Sequence, residues 1–124
     1  NIHKDGILDL CIVPAEMPDQ VRERMVSQSK RFMRDCGYRG ILAIEYFVKG
    51  DEVYFNEMAP RPHNSGHYTI EGCTTNQFRE LVRFLLGEPL QEPQLVAPTV
   101  MKNILGQDLE AAERIAAENR PDFC

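Results

Sequence analysis

The sequence predicts an α+β fold in which a mostly antiparallel sheet carries helices on one face. Three observations lead there: two β-rich segments joined by turn residues within 40–58, amphipathic stretches of helical spacing on either side of them, and short β-branched apolar runs near both ends.

The elements follow in chain order. Ile7 to Val13 is a short apolar run stopped by Pro14, which fits a strand by length and by its β-branched content. Across 18–36, Val21, Met25, Phe32 and Met33 recur near helical spacing, with Pro18 suited to a first turn and Gly37 to a C-terminal cap. Residues 40–48 and 52–58 are rich in Ile, Tyr, Phe and Val, and Lys49-Gly50-Asp51 between them is turn chemistry, so the pair reads as a β-hairpin. A polar loop follows at 59–67, where Pro60 and Pro62 restrict the backbone and remove two donors. Phe78, Leu81, Val82, Leu85 and Leu86 then mark a helix over 75–86, ending at Gly87 and Pro89, that can cover one face of the sheet. Three prolines within 87–98 read as a boundary. Beyond them 99–105 reads as a strand and 108–119 as a helix capped by Asp108. The expected division is 1–92 and 93–124, the second part being the incomplete start of a small C-terminal domain, and the whole chain reads as a piece of a larger protein.

Charge and composition exclude several classes of function. A formal charge of −5 without a Lys/Arg cluster argues against a nucleic-acid surface, which needs a concentrated basic face. No apolar run approaches the roughly 18 residues of a membrane span, and residues 1–5 lack the layout of a signal peptide. The expectation is a soluble, cytoplasmic protein. Cys11, Cys36, Cys73 and Cys124 form no Cys-x-x-Cys pair, and the apolar surroundings of Cys11 and Cys36 suggest reduced thiols packed as small hydrophobes.

Chemistry enters with the acids of the hairpin. Strand side chains alternate, so Glu45 shares a face with Ala43 and Phe47 and stands between apolar neighbours. A three-residue turn would put Glu57 on the same side as Glu45, whereas a two- or four-residue turn would put Asn56 there. Two carboxylates on a half-buried face repel unless a cation or a shared proton intervenes. Magnesium, which takes one or two carboxylates together with substrate phosphates, suits such a pair. The bland alternative is that both acids are solvated strand residues. In the following loop Arg61 offers a planar fork for phosphate or carboxylate, His63 and His67 can carry protons, and Asn64, Ser65 and Gly66 can wrap an oxyanion. An acid pair followed by an anion-binding loop is a phosphoryl-transfer layout, although a proline-ordered surface loop would look the same. Glycine and proline around the two histidines disfavour the helix that a His-Glu-x-x-His zinc site requires.

Gly40-Ile41-Leu42-Ala43-Ile44-Glu45-Tyr46-Phe47, followed by Asn56-Glu57-Met58-Ala59-Pro60-Arg61-Pro62-His63-Asn64-Ser65-Gly66-His67, resembles the metal-binding hairpin and substrate loop of the ATP-grasp superfamily. Within it the segment is most similar to the N5-carboxyaminoimidazole ribonucleotide synthase family, and the likeness extends to Gly6–Pro14, Gln77-Phe78 and Gly87. The resemblance implies the second half of an ATP-grasp domain, with ATP and magnesium as cofactors. The implied ligase phosphorylates bicarbonate to carboxyphosphate and passes its carboxyl group to the amine of aminoimidazole ribonucleotide in purine biosynthesis, and it is a homodimer when complete. It further implies Glu45 and Glu57 as magnesium ligands, and Asn56 with Glu57 as part of the ATP site. Arg61 and His63 become catalytic groups where bicarbonate, carboxyphosphate and amine meet, and Asn64, Ser65 and His67 line the ribonucleotide pocket. The family's upstream ATP-clasping lysines and glycine-rich loop have no counterpart here, so the segment alone is expected to be inactive.

Two other readings remain. A formate-dependent glycinamide ribonucleotide transformylase uses a similar Pro-Arg-Pro-His loop, and Asn64-Ser65-Gly66-His67 is what favours the carboxylating enzyme. A folded binding or dimerisation module without catalysis is the other.

Overall fold

The structure is a computed structural model and describes residues 1–118. Its strands are β1 (Ile2–Lys4), β2 (Ile7–Val13), β3 (Ala43–Lys49), β4 (Glu52–Ala59) and β5 (Thr99–Lys102). Its helices are α1 (Asp19–Asp35), α2 (Thr69–Gly72), α3 (Gln77–Leu86) and α4 (Leu109–Ala117), with 3-10 turns at Asn64–Gly66 and Gly106–Asp108. Every strand pair is antiparallel, as expected, but the strands divide between two sheets: β1-β2-β5 and the β3-β4 hairpin.

β1 is an element the sequence reading passed over. Lys4 pairs with Ile7 across Asp5-Gly6, and both turn residues have positive φ, 52° and 77°. An Asp-Gly pair of that geometry is a strong short-range hairpin signal, because its twist matches that of the strands it joins. On the other edge of β2, Val13 pairs with Thr99 and Leu10 with Lys102, and the Asn103 side chain donates to the Leu8 carbonyl at 2.9 Å. Strand pairing therefore joins residues on the two sides of residue 93. The proline-containing segment before β5, expected to be a boundary, is pinned as a strap. Thr74 N–H donates to Gln94 C=O at 2.9 Å, Val96 N–H to Gly72 C=O at 2.8 Å, and Cys73 bridges Leu95.

Helix α1 starts at Asp19 with Pro18 as its N-cap, one position earlier than its expected place in the first turn, and Gly37 follows the C-cap at φ 62°. Its inner face is Val21, Met25, Ser29 and Met33, an i, i+4 stripe, while Phe32 lies on the exposed side. Burial of Val21 contributes roughly 2 kcal/mol. Two polar ties fasten α1 to the hairpin: Ser29 Oγ to Tyr46 Oη at 2.9 Å, and the Arg24 guanidinium to the Asp51 carbonyl at 2.7 Å. Helix α3 is capped by Asn76, whose side chain accepts from the N–H groups of Phe78 and Arg79, and ends at Gly87 with φ 70°. Its apolar face was expected to cover the sheet, yet Phe78, Val82, Leu85 and Leu86 are exposed, and the buried side chain of the helix is Glu80. In α4, Asp108 occupies the N-cap position without a side-chain capping hydrogen bond, and the expected helix end at Asn119 lies outside the described residues, as does Cys124. Cys11 is buried, and burial pushes its thiol up, which keeps it a packed, protonated group; Cys36, expected in an apolar setting, is exposed. Among the described residues no helix is long and apolar enough to cross a membrane.

Two outcomes test this packing. A Cβ on Gly72 would lie 2.7 Å from Thr99 Oγ1, so Gly72→Ala must displace the Thr99 side chain or the α2–β5 contact, and denaturant unfolding is expected to show a loss of about 1–3 kcal/mol. Glu80 is held below the usual carboxylate range by the Thr75 hydroxyl, then by the Gln91 N–H, with Arg83 and Arg79 adding to the effect against desolvation. Its folded value is the lower one, so the stabilisation is complete above the unfolded value of about 4.3 and is lost as pH falls through the folded value. Protection of the Gln91 amide against hydrogen exchange, taken relative to its intrinsic rate at each pH, should fall over that acid range, and Glu80→Gln should remove that fall.

Candidate functional site

The site is built by an irregularity in the hairpin. Lys49 pairs with Glu52 across the two-residue connection Gly50-Asp51, with Gly50 at φ 59°, the Gly-first pattern of a type II′ turn. Unbroken alternation from there would set Asn56 opposite Glu45. Instead the register shifts between Glu45 and Tyr46: Tyr46 pairs with Phe55, and Glu45 with Glu57. Asn56 is the extra residue of a β-bulge, so two residues of β4 face one of β3. The expected alternatives, Glu57 or Asn56 beside Glu45, are thus both realised. Glu57 is the paired residue, and the Asn56 amide donates to Glu45 Oε2 at 3.4 Å.

His63 enters between the two acids. Its Nδ1 lies 3.5 Å from Glu45 Oε1, and its Nε2 lies 3.3 Å from Glu57 Oε1. One ligand atom from each of Glu45, Glu57 and His63 falls within 4.8 Å of the others, a spacing compatible with a shared metal ion. The acids differ in exposure, with the Glu45 side chain 12% exposed and that of Glu57 57%. His63 is also the N-cap of the Asn64–Gly66 turn. The Ser65 N–H donates to Nδ1 at 3.4 Å, and Ser65 Oγ is 2.9 Å from the same nitrogen. A backbone N–H can only donate, so Nδ1 accepts and the ring proton belongs on Nε2, the nitrogen that faces Glu57.

Beside this cluster is a cavity of about 650 Å³ between β2, α1 and the hairpin, to whose lining Glu45, Asn56 and Ser65 contribute with Arg22, Tyr46 and Tyr68. The remaining residues singled out from sequence are placed differently. Arg61 is exposed and its guanidinium donates to the Pro62 carbonyl at 3.0 Å. Asn64 lies in the 3-10 turn, and the His67 ring packs on Phe78 with centroids 5.6 Å apart. Glu45, Asn56, Glu57, His63 and Ser65 are brought together, whereas His67 is turned toward α3. Sequence reasoning included Gln77 in the family resemblance but gave it no role, whereas its side chain hydrogen-bonds the His63 backbone.

The fold and the cluster define a class. The ATP-grasp domain family model matches residues 1–78, and the chain belongs to that family. Among named relatives it is 39% identical over 114 residues to the N5-carboxyaminoimidazole ribonucleotide synthase of Bacillus subtilis, covering 91% of this chain and 30% of that protein. Among solved structures it is similar to an N5-carboxyaminoimidazole ribonucleotide synthetase crystallised as an ADP complex, with 42% identity, a TM-score of 0.89, and coverage of 94% of this chain and 31% of the other. It is also similar to the N5-carboxyaminoimidazole synthase of Aspergillus clavatus in complex with ADP and 5-aminoimidazole ribonucleotide, with 30% identity, a TM-score of 0.83, and coverage of 94% and 34%. The chain spans about a third of the length of these relatives.

Proposed function

We propose that this chain is the metal- and nucleotide-binding half of the ATP-grasp domain of a ligase that carboxylates 5-aminoimidazole ribonucleotide at the expense of ATP and bicarbonate. The observation that carries the reading is the convergence of Glu45, Asn56, Glu57 and His63 at one bulge, beside a cavity, in a segment similar to synthetases that bind ADP and the aminoimidazole ribonucleotide.

The donor set fits a hard divalent ion. Glu45 and Glu57 supply carboxylate oxygens within reach of one point, leaving other positions for water and phosphate oxygens, which is how magnesium is commonly held. When bound, magnesium would neutralise charge on the transferring phosphoryl group. The protein's own groups do the rest. Asn56 restrains the Glu45 carboxylate and, with Glu57, flanks the nucleotide phosphates. The γ-phosphoryl group of ATP passes to a bicarbonate oxygen with release of ADP. The ribonucleotide amine then attacks the carboxyl carbon of carboxyphosphate, expels inorganic phosphate and gives up its N–H proton to the departing phosphate. His63 holds a proton at Nε2 at the edge of the cluster, and Arg61 places a permanent cation on the loop for the anionic intermediate. Asn64, Ser65 and His67 are assigned to the ribonucleotide side, with the His67 ring packed on Phe78. The complete ligase is proposed to be a cytoplasmic homodimer.

In the complete ligase, Glu45→Gln and Glu57→Gln are each expected to lower kcat on the order of 10²-fold or more and to weaken magnesium-dependent nucleotide binding. Binding and turnover that ignore both changes would instead favour a non-catalytic module. Phosphate release that requires bicarbonate supports carboxylation, and release that requires formate supports the transformylase reading. Residues 1–124 alone are expected to give no ATP- and bicarbonate-dependent turnover, since they span about a third of the length of the synthases they resemble and the reaction needs both the γ-phosphate and the acceptor held in place; carboxylation by them would refute this.

A further inference from the structure

Gln77, the first residue of α3, belongs neither to the acid cluster nor to the cavity lining, yet its amide makes two hydrogen bonds to one residue of the site. Its Oε1 accepts from the His63 N–H at 2.8 Å, and its Nε2 donates to the His63 carbonyl at 2.9 Å. That pairing engages both backbone groups of His63, as a neighbouring strand would, and the His63 carbonyl also accepts from the Gly66 N–H at 2.9 Å. A second tie runs through Thr69, which donates to the Gly66 carbonyl at 2.6 Å and accepts from the Gln77 N–H at 3.3 Å. The amide also fills the space over Gly66, where a Cβ would lie 2.7 Å from Gln77 Oε1. With its backbone held at two points, His63 has little freedom to slide or rotate, and its ring stays 3.3 Å from Glu57 and capped onto Ser65.

We infer that Gln77 is a positioning residue for the ligase reaction: its side-chain amide fixes the His63 backbone and so aims the imidazole at the Glu45–Glu57 pair. The inference rests on the reading of that pair given above. Only a group with one donor and one acceptor side by side can serve. The neutral carboxyl group of a glutamic acid reproduces that pair, whereas its ionised form presents only acceptors and turns one of them against the His63 carbonyl. Alanine at 77 removes the brace without penalising α3, since alanine is the best helix former and the Asn76 cap remains.

The test is made in the complete ligase. Gln77→Ala is expected to lower kcat about 10- to 100-fold with little change in KM for ATP, the size of effect that follows from misplacing a reacting group by about 1 Å. Gly66→Ala, which displaces the same amide, should lose a similar factor, and the double variant should be no worse than either single one. For Gln77→Glu the ratio of its rate to that of the parent protein should rise as pH is lowered and the new carboxyl group gains its proton, a signature that a generally loosened fold would not give. If Gln77→Ala does not fold, that ratio decides. A flat ratio, or a folded Gln77→Ala within about twofold of the parent kcat, overturns the inference. Glu57→Gln separates the two levels of the argument. Its inactivity beside an active Gln77→Ala removes only the role of Gln77, and its full activity removes the reading of the carboxylate pair.

Discussion

Between Glu45 and Tyr46 the ladder of the β3–β4 hairpin skips Asn56, and the position of every acid in the site follows from that skip. A two-residue turn in unbroken register would aim Asn56 at Glu45 and send Glu57 to the opposite face. The extra residue resets the alternation, so a carboxylate and an amide of β4 meet one carboxylate of β3. The bulge is short-range geometry with a chemical result: it concentrates negative charge where a hairpin would ordinarily disperse it.

The irregular strand is held by regular neighbours. Helix α1 grips the hairpin from behind through Ser29 and Arg24, at the level of Tyr46 and at the turn. The loop after β4 is clasped by α3 and backed by β2, where the Cys11 thiol lies 4.0 Å from the Ser65 carbonyl. His63 thus meets Glu45 and Glu57 at the junction of three elements far apart in sequence. Its capping of the Asn64–Gly66 turn links ring orientation to backbone conformation.

Much of this was readable from residue types. Ile7–Val13, the extent of α1, the Gly50 turn and the Gly87 cap follow from periodicity and from the conformational freedom of glycine, which act locally. The membership of Glu45 and Glu57 in one cluster was also within reach, but not its cause, because a bulge reflects packing of the whole hairpin and leaves no mark on alternation. The Asp5-Gly6 hairpin carried a local signal that went unused. The antiparallel pairing of β5 with β2 joins residues about ninety positions apart, and the Gln77 brace joins an amide to a backbone fourteen residues away. Neither has a periodicity to betray it. The exposed face of α3 shows the complementary limit: helical spacing of Val82, Leu85 and Leu86 identifies an apolar stripe but not whether this chain covers it.

The unequal burial of the two acids gives the site a direction. Glu45 has already surrendered most of its hydration in the folded protein, while Glu57 still stands largely in solvent. A divalent ion held between them, as proposed above, would meet the more exposed carboxylate first and would exchange part of its water for protein oxygens there before reaching the buried one.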